Sequence, residues 1–175
     1  MKVLIVTPLY PPEVADAAAY TKELARRISK DHEVTVVAYA HLPEKVPDVS
    51  VVTIDKRQPR LARLRAFRKE LARAVKHTDV VLAINGASVE LPLLLTHLSK
   101  SVRLIFCIAD ATAHARAGFI ERLMLARADA VVRELPPHRP EILPLESEPT
   151  EALAAYESAW TTHLYRLELL FTHVS

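Results

Sequence analysis

Two glycines and one cysteine are all that this chain of 175 residues holds of either type. Average glycine usage of about 7% would give roughly a dozen. The shortage removes the permissive loops with which α/β proteins usually wrap phosphates, and no glycine-rich phosphate loop with a following lysine occurs. The lone Cys107 lies in the apolar run Leu104 to Ile108, which excludes an internal disulfide and suits a reducing compartment. None of the eight histidines stands at metal-ligand spacing with cysteines or carboxylates, so neither a metal nor a cofactor is expected. Ser88 lacks the glycine-flanked elbow of serine hydrolases. No stretch approaches the roughly 20 apolar residues that cross a bilayer. The opening run Met1 to Thr7 is too short for a signal peptide and is ended by Pro8, Pro11 and Pro12. The expectation is a cytoplasmic protein, soluble or peripheral at the inner face of the membrane.

What is present is a globular composition, half apolar and a quarter charged, with room for one core. Lys2 to Thr7 is β-rich and almost wholly apolar, as a strand covered on both faces must be. Ala17 to Lys30 carries Leu24 and Ile28 four apart among charged residues, an amphipathic helix. Glu33 to Ala40 and Val49 to Ile54 read as strands, and Pro59 to His77 as a helix with Leu61, Leu64, Phe67, Leu71 and Val75 on one face. Asp79 to Ile84 reads as a strand. Ser88 is placed to cap a helix running through Leu98, with Pro92 tolerated in its first turn. Val102 to Ile108 is then a strand, Phe119 to Arg127 a helix, and Ala130 to Arg133 and Glu141 to Leu145 short strands.

This alternation predicts an α/β fold, a Rossmann-like open parallel sheet with helices on both faces and a C-terminal helix packing back on the domain. Glu134 to Thr150 holds five prolines and reads as an extended connector, and Glu151 to Thr172 as the last helix. The domain expectation is 1–146 for the sheet domain, with 147–175 a linker and helix belonging to it.

Three groups of residues carry candidate chemistry. Asp110 and His114, four apart near a strand end, form a carboxylate and imidazole pair suited to acid and base roles; a turn cap and a solvated loop histidine fit the same residues. Asn85 and Gly86 sit at another strand end, where an amide can bind a hydroxyl and a plain turn fits equally. Between Lys56 and Lys76 stand nine cations against the single acid Glu70, in a chain whose total charge is +2. Such asymmetry localises attraction for anions, and Arg60, Arg63, Arg68 and Lys69 are the expected contacts to an anionic membrane, weak and salt-sensitive. A solvated face fits the same charges. Nucleic acid is not expected, because aromatic residues are not interleaved with the basic ones.

Met1-Lys2-Val3-Leu4-Ile5-Val6-Thr7-Pro8-Leu9-Tyr10-Pro11-Pro12-Glu13-Val14, the helix with Glu23-Leu24-Ala25, and His32-Glu33-Val34-Thr35-Val36 together resemble the opening of glycogen-synthase-like (family 4) retaining glycosyltransferases of the GT-B fold. Asp79-Val80-Val81 with Asn85-Gly86, and Arg127-Ala128-Asp129-Ala130-Val131-Val132 leading to Pro140-Glu141-Ile142-Leu143-Pro144, agree with it over residues 1 to about 146. The resemblance implies an acceptor-side N-terminal domain without its nucleotide-binding C-terminal domain, with Tyr156 to Phe171 similar to the family's crossover helix.

Against that family, Ala15 and Asp16 stand where two glycines let backbone approach a donor diphosphate, and Ala109 stands where a histidine ends the strand. Glu13, Ala15, Asp16, Asn85 and Gly86 are the substrate-binding positions the resemblance implies. Asp16 is expected to cap the helix itself and so to repel phosphate. The implied function is sugar transfer from a nucleotide-sugar that needs a separate nucleotide-binding chain. The alternative is a non-catalytic binding or self-associating module, a homodimer, that kept the GT-B N-domain fold.

Overall fold

A computed structural model describes residues 1–13, 15–109, 114, 118–137 and 150–172. The strands are β1 (Lys2–Thr7), β2 (Glu33–Tyr39), β3 (Val49–Ile54), β4 (Val80–Ile84), β5 (Arg103–Cys107) and β6 (Ala130–Val132). All pair in parallel, in the order β3-β2-β1-β4-β5-β6. The chain winds outward from β1 to β3, returns beside β1 as β4, and winds out the other way. That makes the seam between β1 and β4 the topological switch point. The α/β, Rossmann-like open parallel sheet expected from the alternation is the fold of the chain.

The helices are α1 (Asp16–Ile28), α2 (Arg60–Ala74), α3 (Ala87–Leu94), α4 (Phe119–Arg127) and α5 (Thr150–Thr172), with a 3-10 turn at Val75–His77 after α2. Alternation along the strands decides which face each covers. Leu4, Val6, Val37, Tyr39, Val81, Ala83, Leu104 and Phe106 point to one side, where Phe67 and Leu71 of α2, Leu93 of α3 and Met124 of α4 complete the core. On the other side α1 lies over β1, with the Thr21 hydroxyl 3.2 Å from that of Thr7.

Two local expectations are corrected. Asp16 does not cap α1: the cap is Ala15, in extended backbone (φ −161°, ψ 150°) with no side-chain hydrogen bond, and Asp16 is the exposed first helical residue. Ser88 does not cap α3 either, because Gly86 takes that position at φ 149°, a backbone that favours glycine, and Pro92 falls beyond the first turn. The ring of Pro92 removes the N–H that would bond the carbonyl of Ser88 four residues earlier. The Tyr39 hydroxyl fills that place, donating to the Ser88 carbonyl at 3.2 Å. A strand side chain thus repairs a helix defect.

Residues 1–133 form one compact unit and 134–175 a second. Within the second, α5 buries Tyr156, Trp160, His163, Leu167 and Phe171 at steps of three and four residues. The expected strand at Glu141 to Leu145 lies outside the described residues. No helix among the described residues is long and apolar enough to cross a membrane.

Candidate active site

The carboxyl ends of β4 and β5 gather the polar side chains that the core leaves over. Asn85 follows β4 directly, 1% exposed, and its Oδ1 accepts the N–H of Ala109 at 2.9 Å while its own N–H donates to the Cys107 carbonyl at 2.9 Å. It clamps the two strand ends together. Gly86 turns the chain into α3 so close to the loop after β1 that a Cβ there would lie 3.0 Å from Pro8 Cγ. The Gly86 N–H donates to Glu90 Oε1 at 2.7 Å.

Glu90 is only 3% exposed. Its burial pushes the carboxyl above the usual range, against the lowering effect of the Gly86 N–H. The neighbouring Glu121 charge adds to the rise, and His114 opposes it. Glu121, also 3% exposed, sits in the first turn of α4 and is paired with His114 through Oε1 and Nδ1. An ionised carboxylate only accepts hydrogen bonds, so a contact to it through Nδ1 puts a hydrogen on Nδ1 and leaves Nε2 as the ring nitrogen away from Glu121. The His114 side chain is one-third exposed, so the ring meets solvent. Imidazole, orienting carboxylate and second carboxylate thus converge at the edge of a parallel sheet where ligands of such sheets bind.

His114 is paired with Glu121, and the expected pairing of Asp110 with His114 lies outside the described residues. Of the other expected positions, Asn85 and Gly86 belong to this cluster. Glu13 forms an ion pair with Lys56 at 2.8 Å on the loop after β1, two residues before Ala15, the cap of α1, and Asp16, its first helical residue. Arg60, Arg68 and Lys69 are exposed on α2, whereas Arg63 folds inward to the Lys56 carbonyl at 3.1 Å, its guanidinium 5.5 Å from the Tyr39 ring centre. Glu90 and Glu121 were missed. Each had one weak signal, a lone carboxylate inside an apolar helix, and nothing in the sequence ties two residues 31 positions apart.

No protein-family model matches the sequence, and no curated protein matches it. Among solved structures, the chain is similar to the C-terminal domain of the coenzyme A biosynthesis bifunctional protein CoaBC, with a TM-score of 0.51 and 13% sequence identity over 95% of each chain. At that identity the likeness is one of fold. It overturns the identification with glycogen-synthase-like glycosyltransferases, and with it the acceptor-side transferase function and the alternative of a module derived from that N-domain. The physical reason lies in what the resembling segments are. Lys2 to Thr7, the α1 helix, Glu33 to Val36, Asp79 to Gly86 and Ala130 to Val132 are the buried strands, crossover helix and strand-end turns that a Rossmann-like sheet of this order needs whatever it binds.

Proposed function

We propose that this chain is an enzyme domain that moves a proton on a small-molecule substrate, with His114 Nε2 as general base and acid at the carboxyl ends of β4 and β5. Glu121 acts as the positioning residue that fixes the tautomer. The supporting observation is the His114 and Glu121 pair beside a second buried carboxylate, Glu90, on the ligand-binding edge of the sheet. A carboxylate that holds Nδ1–H keeps Nε2 as the exchanging atom and stabilises the imidazolium formed when that atom takes a proton. Glu90, whose carboxyl is raised by burial, adds a second proton-accepting group beside the pair. The structural neighbour comes from a coenzyme A biosynthesis protein, which agrees with small-molecule chemistry at this edge.

Thermal-shift screening of nucleotides, dinucleotides and small carboxylic acids against the wild type and His114→Gln tests the reading. A ligand held by His114 stabilises the wild type by about 2.7 kcal/mol at one hundred times its dissociation constant, and the variant by much less. Ligands that stabilise both proteins equally would refute the assignment.

A further inference from the structure

At the opposite edge of the sheet, near the amino ends of β4 and β5, the end of α2 and the turn before β5 enclose a groove of about 470 Å³. Arg68 and Lys76 stand on its α2 side with the small Ala72 between them, and His97, Ser99 and Ser101 face them. No carboxylate among the described residues lines it. The acids nearest in the chain are already engaged, Glu70 by Arg73 at 2.7 Å and Asp79 by the backbone N–H of Lys2 at 2.7 Å. Arg68, Lys76 and His97 have no hydrogen-bond or ion-pair partner among the described residues. Two permanent cations thus stand unneutralised over one concave surface, where low-dielectric walls strengthen their field.

The donors define the ligand. A forked guanidinium, an ammonium, an imidazole and the Ser99 and Ser101 hydroxyls, bonded to each other at 3.0 Å with one O–H left to donate, suit an anion with several accepting oxygens in a tetrahedral array better than a planar carboxylate. Leu95, 57% exposed, and Val102 give the same groove an apolar side. We propose that this groove binds the phosphoryl group of an organic phosphate, with the phosphate between Arg68, Lys76 and the Ser99 to Ser101 turn and the organic part on Leu95. Lying at the edge away from His114, it is a regulatory or tethering site, and it stands whether or not the proton-transfer reading holds. The phosphate is carried either by a soluble phosphomonoester or by a lipid headgroup at a membrane surface.

Two arms separate these sources at constant ionic strength. In one, phenyl phosphate is titrated while the backbone amides of Ser99 to Val102 are followed by NMR; in the other, the protein is sedimented with phosphatidylcholine vesicles with or without phosphatidic acid. Each is run on the wild type, on Arg68→Gln with Lys76→Gln, and on Arg65→Gln with Lys45→Gln, which removes the same charge outside the groove. Unchanged unfolding midpoints establish that both variants fold. Saturable phenyl phosphate binding that is at least tenfold weaker in the groove variant, and within about twofold of wild type in the control, supports the soluble ligand. The same variant pattern seen only with phosphatidic acid vesicles supports the headgroup. Equal weakening in both double variants, or no binding in either arm, overturns the proposal.

Discussion

Replacing Gly86 by alanine puts a methyl group where the structure leaves room for none. Two separate costs follow. The first is conformational: at φ 149° a residue with a Cβ sits in a region that L side chains rarely adopt, a strain of about 1–3 kcal/mol. The second is contact. The new Cβ would lie 3.0 Å from Pro8 Cγ and 3.2 Å from Pro8 Cβ, well inside the optimal carbon separation of about 3.5–4.0 Å, and the proline ring cannot swing aside. Overpacking of this kind adds about 1–3 kcal/mol. The sum expected for Gly86→Ala is about 3–4 kcal/mol, or a fall in melting temperature of about 10 °C for a unit of this size. Urea unfolding followed by circular dichroism measures it, with an unchanged m-value as the sign that the folded state is intact. The Pro8→Ala background separates part of the contact from the strain, because it removes the Cγ at 3.0 Å and keeps the Cβ at 3.2 Å, recovering about 1 kcal/mol of the loss. A loss below about 0.5 kcal/mol, or strict additivity of the two substitutions, would refute the reasoning.

Further outcomes rest on other contacts. Tyr39→Phe deletes the hydroxyl that satisfies the Ser88 carbonyl and is expected to cost about 1 kcal/mol in urea unfolding; adding Pro92→Ala, which restores an N–H to that carbonyl, should return most of it. His163 is held down to about 4, first by burial and then by the Arg166 charge, so between that value and about 6.5 the unfolded chain binds the proton that the folded chain refuses. Its contribution is therefore complete above about pH 6.5 and is lost as pH falls toward 4, by up to about 3 kcal/mol, and His163→Leu should flatten that part of the profile followed by the fluorescence of the single Trp160. Burial pushes the Cys107 thiol up to about 12, so a disulfide reagent at pH 8 should leave the native protein unlabelled and react only at the rate of unfolding.

The sequence made the sheet legible because burial on both faces writes itself as unbroken β-branched runs. β1 and β3 begin and end where the apolar runs do, and the α4 helix coincides with its periodic stretch. Helix starts were harder to read. The expected caps Ser88 and Asp16 obey residue preference, but one turn was decided by the conformation of Gly86 and the other by extended backbone at Ala15, neither of which composition expresses. The site was half visible. His114 is a histidine near a strand end, but Glu121, the carboxylate it pairs with, is delivered by the start of α4, seven residues on, and no local pattern announces that contact. The glycosyltransferase resemblance failed for a related cause, since it was carried by the segments that build the sheet, while function resides in side chains at its edge.

The central claim is that Glu121 fixes His114 with the hydrogen on Nδ1 and the lone pair on Nε2. Long-range proton and nitrogen-15 correlation NMR of the imidazole, in the wild type and in Glu121→Leu, tests it most directly. The account predicts, at a pH where the ring is neutral, a protonated Nδ1 and a bare Nε2 in the wild type, giving way in Glu121→Leu, which offers no acceptor, to a mixture dominated by the Nε2–H form of a free imidazole. The same Nε2–H-dominated mixture in both proteins would show that the carboxylate does not orient the ring, and the proton-transfer assignment would fall with it.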